Sequence, residues 1–203
     1  MTLLLLTCLE LICGSLMFSY WLGRLAKKDL SKVGDGNPGA FNLWSTAGYK
    51  WGITGVLLDF LKGYFPLVWI VQSGVVHGYG LILVAVAPIV GHAFSPFLKF
   101  KGGKAIATTF GVWSAITSFQ VSFVYAIVLA VLLGLFTLLS KDRHVSDDAN
   151  GFQVVFGFGL LLPYLLILDY PGYDCWIWAL NGLLLIYTNR MKVWRYITGK
   201  TTG

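Results

Sequence analysis

The run VSFVYAIVLAVLLGLFTLL, Val121 to Leu139, contains neither a charged residue nor a proline. A mostly apolar stretch of about 17 to 25 residues is long enough to cross a bilayer as a helix. Nothing in this run alternates with the period of two that a barrel strand requires. Backbone groups in lipid must be satisfied within the segment itself, so the run is read as a spanning helix and the chain as an all-α membrane protein.

Similar stretches lie on both sides of it. Leu3 to Leu22, Gly52 to Val71 and Tyr79 to Phe97 precede it, with a shorter one from Ala105 to Phe119; Val154 to Leu168 and Cys175 to Tyr187 follow it. The expected architecture is a polytopic bundle of about seven transmembrane helices forming one domain, residues 1–203. Composition agrees, since 57% of the 203 residues are apolar and 12% are charged, against about 25% charged in soluble domains. Leu3 to Leu22 is kept as a mature helix, because no basic residue precedes it and it exceeds the apolar length of a cleaved signal.

Basic residues orient the bundle. Arg24, Lys27, Lys28, Lys32 and Lys50 follow the first segment; Lys99, Lys101 and Lys104 follow the third; Lys141 and Arg143 follow the fifth; Arg190, Lys192, Arg195 and Lys200 follow the seventh. These are 14 of the 15 lysines and arginines, all on alternate connections. The bias of such residues toward the cytoplasm predicts an external N-terminus and a cytoplasmic C-terminus in a multi-pass protein of the cell membrane. The net charge of +6 is thus explained by anionic membrane lipid, and nucleic acid is not an expected partner. Cys8, Cys13 and Cys175 have neither metal-ligand spacing nor a pairing pattern, and are read as small apolar residues.

Val33 to Asn42, VGDGNPGAFN, holds a literal G-x-G-x-x-G at Gly34, Gly36 and Gly39. A dinucleotide turn needs a strand before it and a helix after it. Here the motif falls in a basic loop between two spanning segments and is followed by the polar stretch LWSTAGYK, read as irregular, so the nucleotide reading is excluded. The glycines still permit backbone N–H groups to converge on an anion. A second stretch on the same predicted face, Phe100-Lys101-Gly102-Gly103-Lys104, stands before a spanning segment. Paired glycines, lysines and a helix start are the parts of a phosphate site, though not in a Walker arrangement. Ordinary membrane-flank anchoring accounts for the lysines but not for the glycines between them.

Asp59 and Lys62 share one helix face inside the second segment, where an ionisable pair marks either a functional site or a structural ion pair. Glu10 in the first segment has no evident partner. His92, near the cytoplasmic end of the third, could contact phosphate or act as acid or base. His144-x-x-x-Asp148 has the spacing of an acyltransferase motif without its following glycine, and is read as a solvated loop. No Ser-His-acid set, metal cluster or cofactor motif is visible.

Three motifs together resemble PlsY, the bacterial membrane enzymes that acylate glycerol 3-phosphate from acyl phosphate. G-S-G-N-x-G-A-T-N is met by Gly34, Gly36, Asn37, Gly39, Ala40 and Asn42; D-F-x-K-G by Asp59, Phe60, Lys62 and Gly63; and the long histidine and lysine motif by Gly91, His92, Phe100 to Lys104, Ala107 and Thr108. The resemblance implies a seven-helix bundle with its site on the cytoplasmic face, needing neither metal, cofactor nor protein partner. It implies catalytic roles for Lys104, His92, Asn37 and Asn42. Substrate contacts are implied for Gly34, Asp35, Gly36, Gly39, Ser45, Asp59, Lys62, Lys101, Gly102, Gly103, Thr108, Arg190 and Lys192.

The chain departs from that pattern at Asp35 (a small hydroxyl residue), Phe41 (Thr), Ser45 (Arg) and Ala105 (Gly), and in its tail at Asn189 and Lys192. A carboxylate at position 35 and the missing arginine at 45 are expected to weaken binding of a dianionic acceptor. A different acceptor, a non-catalytic role in binding acyl phosphate or lipid, and a small anion transporter are the rival readings. No repeat between the chain halves supports transport.

Overall fold

The computed structural model describes residues 1–140 and 145–199. Its regular elements, among the described residues, are all helical. The chain divides into two compact units, Met1–Phe119 and Gln120–Gly203. The first contains α1 (Thr2–Ser15), α2 (Phe18–Leu25), α3 (Ala40–Ala47), α4 (Tyr49–Ser73), α5 (Gly80–Ala93) and α6 (Ile106–Ile116), with single 3-10 turns at Leu30–Lys32 and Pro96–Leu98. The second contains α7 (Gln120–Leu139), α8 (Asp147–Gly159), α9 (Leu161–Ile167) and α10 (Gly172–Thr198).

Among the described residues, five stretches are long and apolar enough to cross a membrane: Thr2–Leu25, Tyr49–Ser73, Gly80–Leu98, Gln120–Leu139 and Asp147–Ile167. The fourth expected segment forms an 11-residue helix, α6, about 16 Å long at 1.5 Å per residue. The seventh lies within the 27 residues of α10, whose last turns carry Arg190, Lys192 and Arg195.

Two expected continuous helices are broken. The first segment stops at Ser15 and restarts at Phe18, with Leu16 extended at ψ 119° and Met17 at ψ 68°. A Gly-Ser pair is a common place for a helix to bend, and here the Ser15 hydroxyl donates to the Leu11 carbonyl at 2.7 Å. The sixth is divided at Leu160 between α8 and α9. The stretch read as irregular after the glycine loop is a helix instead, α3, entered through extended Gly39 and closed at Gly48 with φ 90°. The hydroxyls of Ser45 and Thr46 donate to the Asn42 carbonyl at 3.1 and 2.6 Å, tightening that turn.

Close helix contacts in the first unit run through glycine. A Cβ on Gly63 of α4 would lie 2.7 Å from the Thr108 carbonyl oxygen of α6, and one on Gly111 would strike the Phe60 carbonyl oxygen. α1 and α5 meet through Gly14 against Pro88 and Gly91 against Leu11. Without a hydrophobic drive between helices in lipid, such small-residue contacts let backbones approach and pack. In the second unit, Asp147 pairs with Lys192 at 3.3 Å and Asp148 with Arg195 at 2.7 Å, joining α8 to α10. His144, the first residue of the rejected acyltransferase spacing, lies outside the described residues.

Candidate active site

The glycine loop is folded around one amide. Asn42, buried on α3, places its Nδ2 2.9 Å from the Val33 and Asn37 carbonyls and 3.2 Å from Asp35 Oδ1. Gly34 and Gly36 adopt φ of 53° and 70°, which glycine reaches without the strain of a side chain. The Gly36 N–H donates to the Val33 carbonyl at 2.8 Å, and the Asn37 N–H to Asp35 Oδ1 at 3.2 Å. Asn42 therefore shapes the loop. At the loop's entrance the Ser31 hydroxyl holds the Asp29 carboxyl below the usual carboxylate range, aided by the Ser31 N–H and the nearby Lys32 and Arg24.

The glycine-lysine turn is built differently from the sequence expectation. The N–H groups of Gly102 and Gly103 donate to the last carbonyls of α5, Ala93 at 3.1 Å and His92 at 3.0 Å. A Cβ on Gly102 would collide with the His92 carbonyl oxygen, and one on Gly103 with the His92 imidazole. These glycines serve close approach to α5; their N–H groups are bonded within the protein and are not turned to an anion. Lys99, Phe100 and Ala105 all have positive φ. Ala105, at φ 59° and ψ 17°, caps α6 in the left-handed region where the related motif has glycine.

Lys104 leaves this turn and forms an ion pair with Asp35 Oδ2. The contact joins two stretches 69 residues apart. Their side chains are 16% and 23% exposed, so solvent or a substrate can reach the pair. Lys101 and Ser45 are exposed, and Asn37 is half-buried, beside Gly39.

Behind this pair lies a buried polar layer. The Lys62 ammonium sits 2.8 Å from Asp59 Oδ1, with side chains only 2% and 3% exposed. Ser19 donates to Asp59 Oδ2 at 2.6 Å, and Lys62 also donates to the Leu16 carbonyl at the α1–α2 break. The adjacent freed carbonyl, Ser15, accepts from the Ser95 hydroxyl at 2.7 Å. Thr108 donates to the Asp59 carbonyl at 3.1 Å and lies 3.3 Å from His92 Nδ1. Asp59, Lys62, His92 and Thr108 are thus internal supports of the break and of the turn. Their hydrogen bonds and ion pair are made to protein groups.

Arg190 and Lys192 belong to the second unit. Arg190 donates to the Tyr187 carbonyl at 2.7 Å and stacks on that ring at 4.3 Å; Lys192 pairs with Asp147. Ser19 and Ser95 escaped sequence reasoning because their partners are 40 and 80 residues away, and a lone serine carries no local signal. Among the described residues, no group of three or more His, Cys, Asp or Glu is placed to hold a metal ion.

The sequence model of the family described as glycerol-3-phosphate acyltransferase matches residues 4–199. A glycerol-3-phosphate acyltransferase 1 of Thermotoga maritima is 37% identical over 195 residues, covering 94% of this chain and 96% of that protein. One from Aquifex aeolicus is 31% identical over 189 residues, covering 93% and 92%. The crystal structure of PlsY (YgiH), an integral membrane glycerol 3-phosphate acyltransferase in its glycerol 3-phosphate form, superimposes with a TM-score of 0.84 at 29% identity, over 100% of this chain and 96% of that one.

Proposed function

This chain belongs to the glycerol-3-phosphate acyltransferase family, and we propose that it moves a fatty acyl group from acyl phosphate to glycerol 3-phosphate, giving lysophosphatidic acid and inorganic phosphate. It is a membrane acyltransferase of phospholipid synthesis. The observation that carries the reading is the convergence of the glycine loop and the glycine-lysine turn at Asp35 and Lys104.

In the reaction the acceptor hydroxyl oxygen bonds to the acyl carbon while the bond from that carbon to the phosphate oxygen breaks. The mixed anhydride supplies an easy leaving group, so the protein has chiefly to orient two anionic substrates and neutralise charge. Lys104 stands beside the departing phosphate. The loop shaped by Asn42, with Asn37 on its rim, orients the acceptor. His92 and Thr108 hold the turn, and Asp59 with Lys62 holds the helix break beneath it. Exposed Lys101 provides further positive charge for anionic substrate, and exposed Arg190 of α10 for anionic lipid.

The whole chain acts as one domain of seven membrane helices in the cell membrane, with the N-terminus outside and with both loops and the C-terminus in the cytoplasm. The distribution of basic residues supports this orientation. The short α6 is its least complete crossing; it packs on α4 through Gly63 and Gly111, so protein rather than lipid surrounds much of its backbone.

The test is a purified preparation given synthetic acyl phosphate and glycerol 3-phosphate, with acylated product followed directly. Wild-type protein is expected to turn over, and Lys104→Ala to lose about 10²–10³ in kcat, the usual effect of deleting one fixed charge-stabilising group. Near-normal kcat and KM for acyl phosphate in that variant would sink the assignment of the turn.

A further inference from the structure

We propose that the turn at residues 96–100 is a bilayer-surface anchor: Phe97 and Phe100 enter the apolar edge of the membrane, Lys99 takes an anionic lipid headgroup, and the anchor sets the depth of Lys104. Only the consequence for Lys104 rests on the acyl-phosphate reading above.

Two observations carry the anchor independently. The first is where the turn stands. It follows the stretch Gly80–Leu98, which is long and apolar enough to span, so its side chains leave the hydrocarbon at the boundary with water. There Phe97 and Phe100 are 56% and 68% exposed, with Lys99 exposed between them. Phe97 also meets Trp21 of α2 edge to face at 5.9 Å. Aromatic rings beside a lysine suit this layer, because the rings bury in the acyl boundary while the ammonium reaches a headgroup.

The second observation is strain. Lys99 lies at φ 54° and ψ 44°, and Phe100 at φ 61°. Two successive left-handed residues with side chains are unfavourable, a bulky one most of all. Glycine would take the same backbone freely, and the chain has glycine at 102 and 103. The turn is held nonetheless. The N–H groups of Lys99, Phe100 and Lys101 donate to the Pro96, Ser95 and Leu98 carbonyls at 3.2, 2.9 and 3.0 Å, and the Ser95 hydroxyl donates to the Ser15 carbonyl at 2.7 Å. Strain kept for a ring that the interior leaves exposed points to a use outside the protein, and at the end of a spanning segment that outside is lipid.

Gly102 and Gly103 transmit the anchor's position. Their N–H groups bond the end of α5, which leaves the chain between Phe100 and Lys104 little freedom. A donor whose acyl chain lies in the bilayer carries its phosphate at headgroup level, and an anchor at that level presents Lys104 to it.

The test begins with depth. In protein lacking Cys8, Cys13 and Cys175, a nitroxide at Phe100→Cys in nanodiscs is compared with one at Leu57→Cys, exposed on the spanning α4, and one at Lys32→Cys, whose side chain is 82% exposed. The Phe100 label is expected to collide with oxygen more than with a water-soluble nickel chelate, as at Leu57. It is expected to lie deeper with phosphatidylglycerol present than in phosphatidylcholine alone, a difference that Lys99→Asn reduces. If Phe100→Cys does not purify folded, Phe97→Cys makes the same comparison. A label as open to nickel as that at Lys32 leaves the rings to a protein partner and overturns the proposal. Equal depth in the two lipids, or a difference that survives Lys99→Asn in full, overturns the headgroup role. Phe100→Asn tests the link to Lys104. Asparagine tolerates the left-handed region, so the unfolding midpoint is expected to hold, while KM for long-chain acyl phosphate in nanodiscs rises about tenfold and kcat stays within about twofold. An unchanged KM overturns that link. The depth measurement uses no substrate, so its failure leaves the acyl-phosphate reading intact, and absence of turnover by the wild-type protein fails that reading alone.

Discussion

Replacing Lys62 with Met is expected to destabilise the protein far more than it alters donor recognition. The ammonium is buried 2.8 Å from Asp59 Oδ1, and its removal leaves Asp59 with the Ser19 hydroxyl as the hydrogen-bond donor at 2.6 Å. Breaking a buried ion pair from one side costs about 3–5 kcal/mol. The Leu16 carbonyl also loses Lys62, adding about 1–3 kcal/mol for an unsatisfied buried acceptor. A loss of about 4–8 kcal/mol approaches the whole stability of a typical domain, about 5–15 kcal/mol. Asp59→Asn combined with Lys62→Met removes the orphaned charge and retains only the carbonyl defect, so the double variant is expected to recover about 3 kcal/mol over the single one. The assay is equilibrium unfolding of detergent-purified protein, with acyltransferase activity measured on the fraction still folded. If Lys62→Met unfolds at the wild-type midpoint yet has lost activity, the pair works inside the substrate site and the scaffold argument is wrong. Equal midpoints for the single and double variants would refute the assigned cost of the charge.

At the cap of α6, Ala105→Gly is expected to be neutral within about 1 kcal/mol, because relief of the left-handed backbone offsets lost methyl burial and glycine entropy; Ala105→Val is expected to lower stability by about 2 kcal/mol or more. Unfolding midpoints of the two variants check this, and a tolerated valine would contradict the positive φ. Glu10 is fully buried, and neither carboxylate oxygen has a hydrogen-bond partner. Glu10→Leu is therefore expected to raise the unfolding midpoint while leaving kcat unchanged, whereas a drop in either would give Glu10 a partner or a task. For the topology, single cysteines at Ser31, Lys99 and His77 in a background lacking Cys8, Cys13 and Cys175 are to be labelled with an impermeant thiol reagent. His77 is expected to react in intact cells and the other two only after lysis; labelling of Ser31 or Lys99 from outside would invert the proposed orientation.

The membrane class could be read from sequence because spanning a bilayer requires length and apolarity together, and both are local properties. Val121 to Leu139 agrees with α7 to within one residue. The α1–α2 break was hidden for the converse reason: Leu16 and Met17 are as apolar as their neighbours, and the groups that donate to the freed carbonyls are distant. α3 was hidden because its eight residues AFNLWSTA carry hydroxyls and an amide that suit loops equally well. Gly102 and Gly103 were visible as exceptional, yet their use depends on the end of α5, which no local reading places beside them. Asp35 was legible as a misfit, and its pairing with Lys104 requires the folded chain.

The α1–α2 break also constrains how the protein is made. Lys62 lies 46 residues after Leu16, and Ser95 lies 80 residues after Ser15. A nascent first segment bent before those side chains exist would expose unpaired carbonyls to hydrocarbon. The first segment is therefore expected to enter the bilayer straight and to remain so while the next two are synthesised. It is expected to bend only when Lys62 and Ser95 arrive to donate hydrogen bonds to the carbonyls, so assembly of the first unit would wait for the third segment.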